Sequence, residues 1–435
     1  MHAMSDAGWV RHAVWWQVYP LGFTGAFPAR GDATPHRLGR LDAWLDYAVE
    51  LGASGLALGP IFASETHGYD TVDYFRVDPR LGDDADFDRL VAAAHDRGLR
   101  VLLDGVFNHV GRGHPAFQGA LRGEATRSWF RWVPEPPGYA TFEGHDSLPA
   151  FDHREPAVAD LVVDVMRHWL ARGVDGWRLD AAYAVPVEFW AAVLGRVRAD
   201  FPAAYFVGEV IQGDYAAVVR ESTMDSVTQY ELWKAIWSAL NSANFFELAW
   251  ALTRHDGFLD TFVPLTFVGN HDVTRIASRL TDERHLGHAL AVLFTVGGTP
   301  AVYAGDEQAF RGVKEDRAGG DDAVRPAFPD SPADLAPDGW PTYRLHQQLI
   351  GVRRRHRWLH RARTTPLHRD NRQLGYAVSG AGQRLVVALN LADAPASVPA
   401  ARAGELLAGA GTVRRPGTDS ALVELAPHGW AILAG

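Results

Sequence analysis

Cysteine is absent from this 435-residue chain, so neither a disulfide framework nor a thiolate metal site can form. Lysine is almost absent: Lys234 and Lys314 stand among cations that are otherwise arginine, a compositional bias to which no function is attached. No run of about 18 uninterrupted apolar residues occurs, which excludes a helical membrane span. Positive charge is not in excess either. A net charge of −10 argues against a general nucleic-acid or membrane-surface binder, while local fields still leave room for small anions. The opening MHAMSDAGWVRHAVWW lacks the basic segment, apolar stretch and small-residue cleavage site of a secretory leader, so a cytoplasmic location is expected.

What the chain does contain is a regular alternation. Short apolar runs at 13–20, 54–62, 99–109, 173–182, 203–210, 225–232, 262–272 and 298–307 have the length and composition of buried parallel strands. Helical patterns lie between them, such as DFDRLVAAAHDRG, which closes on Gly98 as a C-cap would. Eight such units predict a (β/α)8 barrel spanning 1–109 and 173–360. The competing doubly wound sheet lacks its Gly-rich phosphate fingerprint here. One connection, of about 65 residues, far exceeds the usual few plus a helix. Its Pro- and Gly-rich stretch predicts an inserted lobe, 110–172, over the barrel mouth. Residues 311–340 read as a long polar loop. RRRHR in the last barrel helix reads as a solvated face, and 361–435 as a small C-terminal β-sandwich.

In a parallel barrel the chemistry sits at the C-terminal strand ends. The third run carries Asp104, Asn108 and His109 there, the fourth Arg178 and Asp180, the fifth Glu209, and the seventh Asn270, His271 and Asp272. Residues two apart on a strand face the same side, so Arg178 lies beneath Asp180 and is expected to favour its ionised form. Glu209 would need the opposite tuning to act as a proton donor. Taken alone, the Arg178–Asp180 pair is equally a structural ion pair. With Glu209 and Asp272 at matching ends, a pair of carboxyl groups for glycoside hydrolysis is the stronger reading, and sequence leaves retention or inversion open. The chain also has fifteen Trp, twelve Tyr and 21 Phe, enough aromatic faces to stack on sugars, although most aromatics in any protein are core.

These residues carry a resemblance. DGVFNH (104–109), GWRLDAA (176–182), GEV (208–210) and FVGNHD (267–272) resemble, in order, the four signature regions of the α-amylase family. HGYDTVDYFRVDPRLG (67–82), LPAFD (148–152) and GGTPAVYAGDE (297–307) are similar to its other landmarks. The resemblance implies a retaining α-glycosidase with Asp180 as nucleophile, Glu209 as general acid/base and Asp272 as third carboxylate. It further implies that Arg178, His109 and His271 contact the sugar next to the cut, with Tyr69 as stacking platform and Asp104 supporting Arg178. Asp70 is expected to pair with Arg275. Tyr183 and Ala184 replace the Lys-His pair of many starch-cutting members, and LPAFD is nearer to the version in cyclomaltodextrinases and neopullulanases. Both departures point to short α-1,4-linked gluco-oligosaccharides, and Ala181 favours α-1,4 over α-1,6 linkages. A transglycosylase, isomerase or phosphorylase acting on sucrose, trehalose or maltose is the alternative, and an inactive binding subunit the third reading. No cofactor is required. Asn108 matches a position that binds calcium in many members, but no partner ligands accompany it, so it is read as a loop hydrogen-bonder and no metal site is assigned.

Overall fold

Eight short parallel strands form the centre of the computed structural model, which describes residues 8–27, 36–136, 138–317, 319–416 and 420–435. They are β1 (Trp15–Val18), β2 (Gly55–Leu58), β3 (Arg100–Gly105), β4 (Gly176–Leu179), β5 (Tyr205–Gly208), β6 (Ser226–Val227), β7 (Leu265–Thr266) and β8 (Thr299–Tyr303). Each falls within one of the eight apolar runs. The hydrogen-bonded order is 6-5-4-3-2-1-8-7, and a parallel bridge between Thr228 and Leu265 joins the two ends. The sheet therefore closes into the expected barrel.

Helices return the chain between strands. Asp84–Asp96 begins with a reciprocal capping box between Asp83 and Asp86, and Gly98 at φ 75° turns the chain back towards β3. The bottom of the barrel is plugged by aromatics, with Trp15 and Tyr205 stacked at 6.4 Å and Trp9 edge-on to both. Polar atoms are left for the top.

The long connection after β3 holds a short hairpin, Thr141–Phe142 against His145–Pro149, at the mouth. It then enters the helix Pro156–Ala171, which packs on the next barrel helix, Val187–Asp200. Residues 156–171 are thus a barrel return helix inside the range read as lobe. The C-terminal part is a five-stranded antiparallel sheet facing a three-stranded one, with Val386, Val398, Val423 and Leu433 in the layer between. Among the described residues no helix is long and apolar enough to cross a membrane.

One expectation fails in the last barrel helix, Trp340–Arg355. Arg353, read as part of a solvated face, is buried and donates to the carbonyls of Phe294, Val296 and Gly298. The chain leading into β8 bends there and exposes carbonyls that need a donor, and the guanidinium supplies several at once.

Candidate active site

The register of the barrel brings the acidic residues together. Asp104 on β3 is paired with Arg178 on β4, and Leu179 is paired with Gly208 on β5. Asp180 and Glu209 are the next residues on those two strands, so they leave adjacent strand ends side by side. Their backbones are still tied to the sheet, through Asp180 N to Gly105 O at 3.0 Å and Glu209 N to Leu179 O at 2.9 Å. A Cβ on Gly208 would come within 2.5 Å of Met224 Sδ, so only glycine lets β5 approach that closely beneath Glu209. Immediately after Asp180 the chain reverses at Ala181 with φ 44°, a left-handed conformation that costs an L-residue about 1–2 kcal/mol. The turn aims Ala181 N–H at Glu209 Oε2, 3.0 Å away.

Arg178 is the hub of this cluster. Its Nη1 donates to both oxygens of Asp104 at 2.7 Å and to Asp180 Oδ1 at 3.1 Å, and its Nη2 lies 2.9 Å from Glu209 Oε1. Asp272 Oδ2 is 3.9 Å from the same nitrogen. His271 contacts Asp272 Oδ2 at 3.0 Å, and its ring is fixed by Gln17 Nε2 at 3.0 Å and by the Tyr69 hydroxyl. Tyr69 lies parallel to the His271 ring and donates to Asp104 Oδ2 at 3.1 Å. His109 bonds the Tyr69 carbonyl at 3.0 Å, and Phe142 of the lobe hairpin stacks on it at 4.5 Å. Burial pushes the His109 imidazole down to about 3, so it is neutral near pH 7.

Four carboxyl groups (Asp104, Asp180, Glu209 and Asp272) face two guanidinium groups, Arg178 and Arg325. Such a cluster holds on to a proton. The expected depression of Asp180 by Arg178 is overturned: burial, with repulsion from Glu209, Asp104 and Asp272, outweighs the cation and raises Asp180 well above the ordinary carboxylate range. Burial likewise raises Asp104 despite its two bonds to Arg178. Burial opposes ionisation of Asp272 too, but there His271, Arg325 and Arg178 together overcome it and hold the carboxyl well below the usual range.

Several residues of this site were missed in the sequence. Arg325 donates through Nη2 to Asp272 Oδ1 at 2.7 Å and through Nε to His271 O at 3.0 Å. It comes from GGDDAVRPAFP (319–329), within the long polar loop, where the sequence placed no site residue. Tyr230 donates to Glu209 Oε1 at 3.1 Å and accepts from Asn270 Nδ2 at 2.9 Å. A lone arginine in a long loop and a tyrosine at a helix start give no periodic signal. The LPAFD match was the available clue to the lobe, and Phe142 lies just upstream of it.

Other placements differ from expectation. Asp70 and Arg275 do not pair. Arg275 is fully buried against Asp306 at 2.8 Å with its guanidinium over the Tyr303 ring, whereas Asp70 accepts from Thr66 Oγ1 at 2.5 Å. Two loops from different strands were matched by sequence alone, and Asp306 stands nearer. Asn108 is buried with its amide on His109 Nδ1 at 3.1 Å, a local hydrogen bond. Among the described residues, groups of three metal-ligating side chains lie elsewhere, at Asp282–His285–His428 and His36–Asp83–Asp86. Tyr183 donates to Glu143 Oε1 of the lobe hairpin at 2.6 Å and closes one side of the cleft. The cleft is lined by Tyr69, His109, Asp180, Tyr183, Glu209 and Asp272, with Phe142, Trp233 and Arg325 at its walls, while Asp104, Arg178 and His271 stand behind that surface.

The sequence profile of the alpha amylase catalytic domain matches residues 17–336. A cyclomaltodextrinase of Geobacillus thermopakistaniensis is 30% identical over 90% of this chain and 71% of its own length. A maltogenic alpha-amylase of Bacillus acidopullulyticus is 32% identical over 71% of the chain, which spans 58% of that relative. Among solved structures, a cyclic alpha-maltosyl-(1→6)-maltose hydrolase of Arthrobacter globiformis superposes with a TM-score of 0.82 at 28% identity, covering 98% of this chain and 99% of that one. A debranching enzyme of Nostoc punctiforme does so with a TM-score of 0.84 at 25% identity over all of both chains. With the profile covering most of the chain and the barrel carrying its carboxylates at the matching strand ends, the protein belongs to the α-amylase family.

Proposed function

We propose that the protein is a retaining α-glycoside hydrolase of α-1,4-linked gluco-oligosaccharides, malto-oligosaccharides foremost, acting in the cytoplasm. The observation that carries this is the shared guanidinium. Asp180 and Glu209 leave neighbouring strands and accept from the two Nη atoms of Arg178. Two carboxyl groups held on one guanidinium suit the short spacing, about 5–5.5 Å, that retention uses.

In this reading Asp180 attacks the anomeric carbon and Glu209 protonates the departing oxygen. The mechanism requires the proton on Glu209 and the anion on Asp180, which faces the Arg178 guanidinium. Glu209 then takes a proton from water as the glycosyl-enzyme ester is cleaved, returning the site to its starting state. Asp272, held ionised by Arg325 and His271, is placed to accept sugar hydroxyls and to offset oxocarbenium charge. Tyr69 and His109 offer the flat faces beside the reacting ring. No step calls for a metal or cofactor. The name of one structural relative contains an α-maltosyl-(1→6) linkage, so a branched saccharide belongs in the test.

Proton NMR during hydrolysis of maltotriose tests this. The α-anomer of the new reducing end is expected first. A β-anomer appearing first sinks the retaining assignment. Faster cleavage of an α-1,6-linked maltosyl saccharide replaces the linkage assignment, and products longer than the substrate favour glycosyl transfer.

A further inference from the structure

We propose that Asp282, His285 and His428 form a binding site for a divalent transition-metal ion of the zinc type, which ties the C-terminal sandwich to the barrel. Asp282 and His285 belong to the turn that leads into the barrel helix Leu286–Thr295. His428 belongs to the turn before the last strand of the sandwich, Trp430–Ala434. The site therefore lies across the seam between the two parts, and none of its three ligands lines the cleft.

The three ligand atoms have the right spacing. His285 Nε2 is 3.0 Å from His428 Nδ1, and Asp282 Oδ2 lies 4.0 Å from the first and 3.9 Å from the second. The point about 2.1 Å from each atom, the ordinary length of zinc–imidazole and zinc–carboxylate bonds, lies in the plane of the three, so tetrahedral binding requires the side chains to shift by a few tenths of an ångström. Two nitrogens and one oxygen select a borderline-soft ion over calcium or magnesium, and water would complete a tetrahedron.

An independent feature lies behind the ligands. His428 Nε2 is 2.8 Å from Asp393 Oδ1, so the carboxylate fixes the tautomer that turns Nδ1 and its lone pair towards the site. This carboxylate–histidine pair is what metal-ligating imidazoles generally require. Both rings are largely shielded from solvent. Arg284 is the opposing charge: it grips both oxygens of Asp282, the shorter contact being 2.6 Å to Oδ2. Both N–H groups reach Oδ2, so a bound ion competes with Arg284 for that oxygen, and Asp393, 3.9 Å from the guanidinium, partly offsets the cation. The alternative is a plain hydrogen bond between the two rings with no ion.

The test uses the full chain stripped with a strong chelator. Titration calorimetry with ZnCl2 should show one equivalent bound with a Kd below about 1 μM, and Co2+ should give the strong visible absorption of a four-coordinate ion. The melting temperature should rise with zinc and not with calcium. Asp393→Asn should weaken zinc binding about 10–100-fold, and His428→Ala should abolish stoichiometric binding. Both variants should keep wild-type activity on an aryl α-glucoside, which shows that they fold. Absence of micromolar zinc binding overturns the proposal in favour of the bare ring–ring bond. Unchanged zinc binding in His428→Ala overturns it as well, because the ion then lies elsewhere.

Discussion

On the floor of the cleft, Arg178 alone reaches Asp104, Asp180 and Glu209, and Tyr69 links Asp104 to His271. On the far wall, Tyr183 is more than a third exposed and reaches across open space to Glu143 on the turn of the lobe hairpin. The floor is anchored by the sheet: Asp104 and Arg178 sit on strands of fixed register, and the backbones of Asp180 and Glu209 are still bonded to it. The wall is assembled from loops that meet only through side chains. In the floor, moving one group unbalances several charges in a medium of low dielectric, so effects are large and cooperative. In the wall, a lost contact is replaced by water at small cost. The first therefore sets whether the reaction runs, and the second which sugar is placed beyond the cut.

The sharpest break in this contrast is between the two carboxyl groups of the floor. Asp180→Asn should lower kcat on an aryl α-glucoside by about 10^4-fold or more, since no other group can form the covalent ester. Glu209→Gln should cost about 10²–10⁴-fold on maltotriose and far less on a substrate with a good leaving group, which needs no proton. If Asp180→Asn retains its rate, or if Glu209→Gln is impaired equally on both substrates, the two roles are misassigned.

Arg325 tests whether the floor extends beyond the strands. Its cation is one reason Asp272 stays ionised, so Arg325→Met should raise the Asp272 pKa and steepen the acid limb of kcat/KM, which the raised Asp180 already sets. The sign follows from Asp272 working as the anion: a higher pKa means that activity is lost more steeply as the pH falls. At pH 7 a loss of about 10–100-fold is expected, in line with removing a hydrogen bond to a charged group. An acid limb of unchanged steepness would show that His271 and Arg178 hold Asp272 by themselves.

The same division explains what could be read from the sequence. Asp104, Arg178, Asp180 and Glu209 were legible because alternation along a strand and the strand-end rule place them without knowledge of any loop. Arg325 and Tyr230 were not, since their positions depend on where a loop folds back and where a helix begins. The Asp70–Arg275 pairing failed for that reason, and Asp306, one turn past β8, took the arginine. The ionisation of Asp180 was misjudged for a different one. The cation and the other three carboxyl groups were all visible at the strand ends, whereas the depth to which the closed barrel buries them together is a property of the fold.

The smallest expected effect belongs to the wall. Tyr183→Phe removes one half-exposed hydrogen bond, worth about 1 kcal/mol, and should change kcat/KM on maltotriose by about fivefold or less. Its effect on an aryl α-glucoside, which places no sugar beyond the cut, should be smaller still, and Glu143→Ala should reproduce it because the two side chains act as one contact. The double variant should then be no worse than either single one. Should Tyr183→Phe instead impair both substrates by two orders of magnitude, Tyr183 would belong with Arg178 and Asp104, and the wall would be part of the catalytic machinery.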